Sequence, residues 1–428
     1  MKTLTLATLL TVSALGSAQA ADKEITLGRF FGACEDAPAN VADATGEACI
    51  IQSIISSFSD EKNGISVKTL PTDWGNYYDQ IKASYSGGTP PNVHVMHKHR
   101  LPEFAGVGIL AEISAEDYAK AGIDPNDWAN SAKEAVTYKG KTYGVPMDLH
   151  ANLWHLNIDL FKQAGLINPD GTPTLPGSPE ELFAHAKQMK DKTGKDYLTA
   201  DFAQYPLGVR TALALIWQQG GNIFDDEGVT VDTPEARKAV KVLTDLFDAS
   251  YANPKLNYAE SQQSFLDGNA AVLINGTWVV DFYTAQAADT KVPLTHYRIA
   301  SFPTLFDNGA TWADSHIWAI PAAVKKDPEI FEAAMKLMAW INDHNIDWAR
   351  TGHMAVRNSV LEADAYQSLP HRDEYLETAV IAKDNPPSKK YGAIQDVLNR
   401  ELQSIWLTGK SVDDALADAQ YDIEDLQD

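Results

Sequence analysis

FLDGNAAVLINGTW, Phe265 to Trp278, changes its periodicity in the middle. Phe265 and Leu266 close an amphipathic helical pattern, and Gly268 with Asn269 stops it. Ala270 to Ile274 is then an unbroken apolar run of strand length. The run breaks at Asn275-Gly276, and Trp278 follows the break. A buried strand therefore hands a tryptophan to the loop at its end, where open α/β sheets bind their ligands. An indole there offers a flat apolar face with an N–H at its edge, which suits a partner with apolar faces and a hydroxylic rim, such as a sugar ring. The stretch reads equally as a core tryptophan after a turn, and the rest of the chain has to choose.

Outward from this stretch, strand and helix patterns alternate. Ile25 to Phe31, Ile65 to Leu70 and Asn92 to Met96 read as strands, with helices at Ala48 to Ser59 and Trp74 to Ser86 between them. Lys139 to Val145 reads as a hairpin-like turn and His150 to Asn157 as a further strand. Ser178-Pro179, Thr233-Pro234 and Asp327-Pro328 each place a capping side chain before a proline, which starts a helix. Val209 to Gln219 is an apolar helix, and Val412 to Leu426 is the last amphipathic one. Strands alternating with helices predict an α/β fold with a parallel sheet.

The chain has 428 residues, 44% of them apolar and 22% charged, which exceeds what one growing core accommodates and predicts two domains. Met1 to Ala20 has one charge, Lys2, an apolar stretch Leu4 to Leu15 and an Ala18-Gln19-Ala20 end, the pattern of a secretory signal peptide. Ala21 follows the expected cut, so a lipid-anchored cysteine is not indicated. Loss of Lys2 takes the formal net charge from −23 to −24, which disfavours nucleic acid and anionic lipid. Cys34 and Cys49 flank a loop-like segment. In an oxidising compartment a disulfide there closes roughly 15 residues and is worth roughly 3 kcal/mol; free thiols are the alternative.

The catalytic motifs of phosphate, nucleotide, serine-hydrolase and zinc-protease chemistry are missing. His94, His97 and His99 crowd one stretch beside Lys98 and Arg100. His97 and His99 would share a face of a continuing strand. They read as a polar cluster at a strand end, with an exposed basic loop and a metal site as the other readings. Glu35, Asp148, Asp201 and Asp314 could supply a carboxylate pair for glycoside hydrolysis, although so acidic a chain always offers pairs. Tryptophans and tyrosines gather near element ends, at Trp74, Tyr77, Tyr78, Trp154, Trp217, Trp278, Trp312 and Trp318.

Several pieces, in order along the chain, resemble one family. FLDGNAAVLINGTW is similar to the segment of bacterial extracellular sugar-binding proteins of ABC transporters in which a helix, a strand and an N-G-x-W turn present a stacking tryptophan. Pro91-Asn92-Val93, continued by HVMHKHRLPEFAGVGILAEIS, resembles the family's P-D-V strand and its G-L-L-A-x-I stretch, with Asn92 in place of the usual Asp. Gly144-Val145-Pro146 through Leu153, Asn157 and Leu160-Phe161 resembles its crossover, Gly220-Gly221 its glycine pair, and Thr408 to Leu416 its closing motif. The likeness, to the family 1 solute-binding proteins, extends loosely to maltose-binding protein.

The resemblance implies a class II type periplasmic binding fold, with two α/β lobes joined by a hinge and three chain crossings near 148–152, 309–315 and 350–357. The N-terminal lobe would comprise 21–149 plus 313–351, and the C-terminal lobe 150–312 plus 352–428. It implies that Trp278 stacks on the ligand, with Gly276 in the same turn. Asp148 and His150 would serve at the first crossing, Asp314 and His316 at the second and Arg357 at the third. His97, Lys98 and His99 would follow the third strand, Arg29 and Glu35 the first, and Trp74 would open a helix at the cleft. His150 and His99 stand where maltose-binding protein has acids. The implied protein is a monomeric periplasmic receptor, not an enzyme and without cofactor. It would capture a small oligosaccharide and deliver it to membrane permease subunits. An exported glycoside hydrolase and a metal or polyamine carrier are the alternatives.

Overall fold

A computed structural model describes residues 23–61, 64–225, 228–289, 291–385 and 388–427; the expected leader, residues 1–20, lies outside them. Two sheets organise the chain. The N-terminal sheet has the spatial order Ile65–Pro71, Lys23–Arg29, Val93–His97, His316–Ala319, Gly144–Pro146. The C-terminal sheet has the order Ala382–Lys383, Thr311–Asp314, His150–Asn157, Ala270–Gly276, Asp196–Thr199, and Tyr297–Ser301 also pairs with His150–Asn157.

The first three strands are parallel, as strand–helix alternation requires. His316–Ala319 is antiparallel to both neighbours, and His150–Asn157 is antiparallel to Ala270–Gly276. The first three strands keep the expected parallel order, and the sheets are mixed beyond them because chain returning from the other sheet enters from the opposite end. Every residue of Ala270–Gly276 and of His150–Asn157 is buried. A strand covered on both faces has to be continuously apolar rather than alternating, which is what made the first of them conspicuous. It is preceded by the helix Tyr258–Leu266, started by a reciprocal box between Asn257 and Glu260 and followed by Gly268 at φ +65°. Ser178, Thr233 and Asp327 cap their helices as read.

The chain passes between the sheets at Met147 to Leu149, and again at Ser315. Ala313 and Asp314 still pair with Ala151 and His150 in the C-terminal sheet, while His316 already pairs with His97. The chain therefore changes sheets at Ser315. A third segment lies alongside the first, with Leu149 and Met354 bonded backbone to backbone in both directions at 3.0 and 2.9 Å. Cys34 and Cys49 form a disulfide that ties the loop after the first strand to the helix Gly46–Asp60. Trp154, Trp312 and Trp318 are fully buried core residues. Among the described residues no helix is long and apolar enough to cross a membrane.

Candidate functional site

Residues attached to both sheets line one cavity of about 570 Å³, a size typical of small-molecule sites. Phe30, Phe31, Trp74, His97 and His316 come from the N-terminal side, and His150, Tyr205, Arg210, Tyr258 and Trp278 from the C-terminal side. Trp74 meets Tyr205 edge to face with centroids 4.9 Å apart, so the two sides touch at the cavity wall. A Lys98–Asp384 ion pair and a 2.6 Å bond from the Gly46 N–H to Asp281 also join them.

The strand that opened the sequence reading delivers its tryptophan here. Ala270–Gly276 runs through Asn275-Gly276 instead of breaking there, and one turn, Thr277–Val279, carries Trp278 into the wall. The indole lies so close over Gly276 that a Cβ on that residue would sit 1.9 Å from the ring. Glycine is required by this contact rather than by a turn. The indole N–H donates to the Tyr258 hydroxyl at 2.9 Å, which fixes the plane of the ring. What Trp278 offers a ligand is therefore surface, not its donor.

Behind the opposite wall sits Asp148, buried. It accepts from His150 Nδ1 at 3.0 Å, His316 Nδ1 at 2.7 Å, the His316 N–H at 3.0 Å and Trp348 Nε1 at 2.7 Å. Burial opposes its ionisation, but the imidazoles of His316 and His353 and these bonds hold it well below the usual carboxylate range. The His150 and His316 rings stack at 4.0 Å, one from each sheet. Burial first, then His316, pulls His150 down to about 4, so it is neutral at pH 7. With its Nδ1–H on Asp148, Nε2 is left as an acceptor. His97 is arranged the other way. The Tyr78 hydroxyl accepts from the His97 N–H at 2.8 Å and lies 2.6 Å from His97 Nδ1. It donates to that nitrogen, which leaves Nε2–H as a donor. Burial and then His316 keep His97 well below its ordinary value. Neighbouring imidazoles thus present opposite hydrogen-bonding senses, as a hydroxyl that both donates and accepts requires.

Asp148, His150, His316 and His353 bring potential metal-ligand atoms within 4.8 Å of one another. Three of those residues already spend their Nδ1 or carboxylate on one another, and His353 Nδ1 contacts Thr351 Oγ1 at 2.6 Å. These bonds leave Nε2 of His150 and His316 free and His353 Nε2 without a partner, so the same network serves as a hydrogen-bonding wall or, with Nε2 ligation, as a cation site.

Of the residues expected in the cleft, Trp74, His97, His150, His316 and Trp278 line it. Asp148 and Gly276 act one layer behind, on the two histidines and the indole. Asp314 is also behind, bonded to His99 and to the Ser315 N–H at 2.8 Å. Burial opposes its charge, but His99 draws it down to about 2. His99 is buried against Tyr391. It shares no strand face with His97, because the strand ends at His97 and Lys98–Arg100 is a tight helical turn.

Four more of the expected residues have other placements. Arg357 is spent on Asp127 and Asp343, each at 2.8 Å. Lys98 pairs with Asp384. Glu35 is exposed and does not line the cavity. Arg29 is buried beneath it, bonded to Gln52 at 2.8 Å and to the Gly32 carbonyl. None of Glu35, Asp148, Asp201 and Asp314 lines the cavity, so the carboxylate pair of a hydrolase is not assembled from them. Sequence reading missed Phe30, Phe31, Glu47, Tyr205, Arg210 and Tyr258. The two phenylalanines directly follow a strand, the same signal that found Trp278. Arg210 was the one charge in a helix read only for its apolar pattern.

Two mixed sheets exchanging chain beside a shared cavity define a hinged, two-lobed solute-binding fold. The sequence profile of the bacterial extracellular solute-binding proteins matches residues 11–344, and the chain belongs to that family. It is 23% identical over 378 residues to a putative binding protein of Brucella abortus, covering 85% of this chain and 86% of that one. It is 26% identical over 307 residues to the maltodextrin-binding protein MdxE of Bacillus subtilis, covering 69% and 67%. The fold is that of the GacH receptor of Streptomyces glaucescens, with a TM-score of 0.79 at 20% identity over 94% of this chain and 98% of that one.

Proposed function

We propose that this protein is a periplasmic receptor that captures a small oligosaccharide, of about disaccharide size, between its lobes and delivers it to the permease subunits of an ABC importer. The observation that carries the reading is the cavity wall. Aromatic surface from both sides, Trp74 and Trp278 foremost, faces imidazoles of opposite hydrogen-bonding sense. Aromatic faces take the apolar faces of a pyranose, and the imidazole edges take its hydroxyls. A ligand touching both lobes stabilises their closed arrangement, which is what a membrane partner can recognise. MdxE is named for binding maltodextrin and GacH is described with acarbose, which supports a saccharide here. The lobes divide at Met147 to Leu149, at Ser315 and beside Met354. The protein acts as a monomer without catalytic chemistry. Calorimetric titration with mono-, di- and trisaccharides tests the proposal. It predicts one binding event per chain, strongest for a disaccharide or its glycoside. Folded protein that gives no heat with any saccharide overturns it.

A further inference from the structure

Arg210 stands on the helix Leu207–Gln218, in which nearly every residue is buried. It lines the cavity yet is only 7% exposed. Its guanidinium lies 3.9 Å over the Trp312 ring and 5.8 Å from the ring centres of Trp74 and Trp278. Among the described residues it has no ion pair and no side-chain hydrogen bond, and its Nε is buried without a partner. The acids whose charge reaches it are Asp314 and Asp201. Asp314 is committed to His99 and Ser315, and Asp201 to the N–H groups of Ala203, Gln204 and Tyr205 at 3.2, 2.8 and 2.8 Å.

The other two buried arginines among the described residues also leave Nε without a partner, and differ in that their terminal nitrogens do donate. Arg29 donates to Gln52 and Gly32, and Arg372 donates to the Ala349 carbonyl at 2.8 Å and the His353 carbonyl at 3.1 Å. A guanidinium stays charged at any ordinary pH, and burying it without acceptors is costly. Three indoles soften that cost but accept no hydrogen bond. Nothing among the described residues completes the site, and the open side of Arg210 is the cavity.

Resting on the saccharide reading, we propose that the sugar carries an oxyanion, a carboxylate or a sulfate ester, and that this group seats on Arg210. Guanidinium and oxyanion match as planar fork and paired oxygens. The indoles then wall the pair from water, which strengthens it. The cations expected in that role, Lys98 and Arg357, are already paired elsewhere. Acidic sugars are the predicted class, and neutral sugars of the same ring would leave Arg210 unanswered.

Calorimetry on the full-length secreted protein tests this with matched probes. These are glucose, glucuronate and glucose 6-sulfate, galactose and galacturonate, and maltose and digalacturonate. At least one acidic probe should bind about tenfold or more tighter than its neutral counterpart, and its affinity should fall as salt rises. The carboxylate and sulfate arms say which oxyanion is meant. Arg210→Met should remove that preference, and Arg210→Lys should keep part of it. Neutral sugars binding as tightly as acidic ones overturns the proposal and leaves the saccharide reading standing. If no probe binds, this proposal falls, and the saccharide reading falls with it only if the wider mono-, di- and trisaccharide titration is also silent. Should Arg210→Met not fold, the wild-type acidic-to-neutral ratio alone decides.

Discussion

Asp148 accepts four hydrogen bonds, from His150, from the ring and backbone of His316, and from Trp348. Arg210, buried at the same cavity, donates none from its guanidinium. One charge is answered entirely by the protein, where strands from both sheets meet, and acts as structure. The other is left to be answered from outside. Buried charges at a cleft therefore divide by their partners, not by their type. A full partner set marks the frame, and a missing one marks the face toward the ligand.

The contrast can be broken most sharply at Asp148. Replacing it with Ala strands two imidazoles and an indole N–H, and should cost about 3 kcal/mol or more of unfolding free energy in urea titrations. Acid should probe the same station. Asp148 is depressed in the folded state, so its contribution is present at neutral pH and lost as pH falls through its folded value. His150, at about 4 against an ordinary 6.5, is neutral when folded and protonated when unfolded between those values. Stability should fall as pH drops through that window, by on the order of 2 kcal/mol for this histidine alone at pH 5. A melting temperature that does not change between pH 7 and pH 5 would contradict it.

Tyr258→Phe removes the acceptor of the Trp278 N–H. It should weaken saccharide binding by about 0.5–1.5 kcal/mol in calorimetry, because the plate is no longer held in plane. Arg210→Met should leave the ligand-free protein as stable as before, or stabilise it by up to about 1 kcal/mol, the opposite of Asp148→Ala. A strongly lowered melting temperature for Arg210→Met would mean that this charge too is structural. Arg357→Ala should change affinity by no more than about 0.5 kcal/mol, since its guanidinium is spent on Asp127 and Asp343.

Much of the frame was legible because it depends on local rules. The apolar run from Ala270, the capped helices and the tryptophan after the strand all follow from short-range patterns. The Cys34–Cys49 disulfide links residues close in sequence. The site was legible where a side chain sits at the end or the start of an element, as Trp278 and Trp74 do. It was illegible where partners are far apart. His316 and Asp148 stand 168 positions apart, and no spacing rule links them. Arg357 was expected in the cleft because it lies at a crossing. Sequence position fixes neither the side of the hinge a residue faces nor the acids it meets. Arg210 was passed over because an apolar helix was read by its majority, whereas its one charged residue held the information.

The account stands on a saccharide lying against the indole of Trp278. Titration of wild type and Trp278→Ala with the tightest-binding saccharide tests this most directly. The account predicts a single binding event that weakens by about 1–3 kcal/mol in the variant while the variant remains folded at the titration temperature. Equal affinity in both proteins would contradict it.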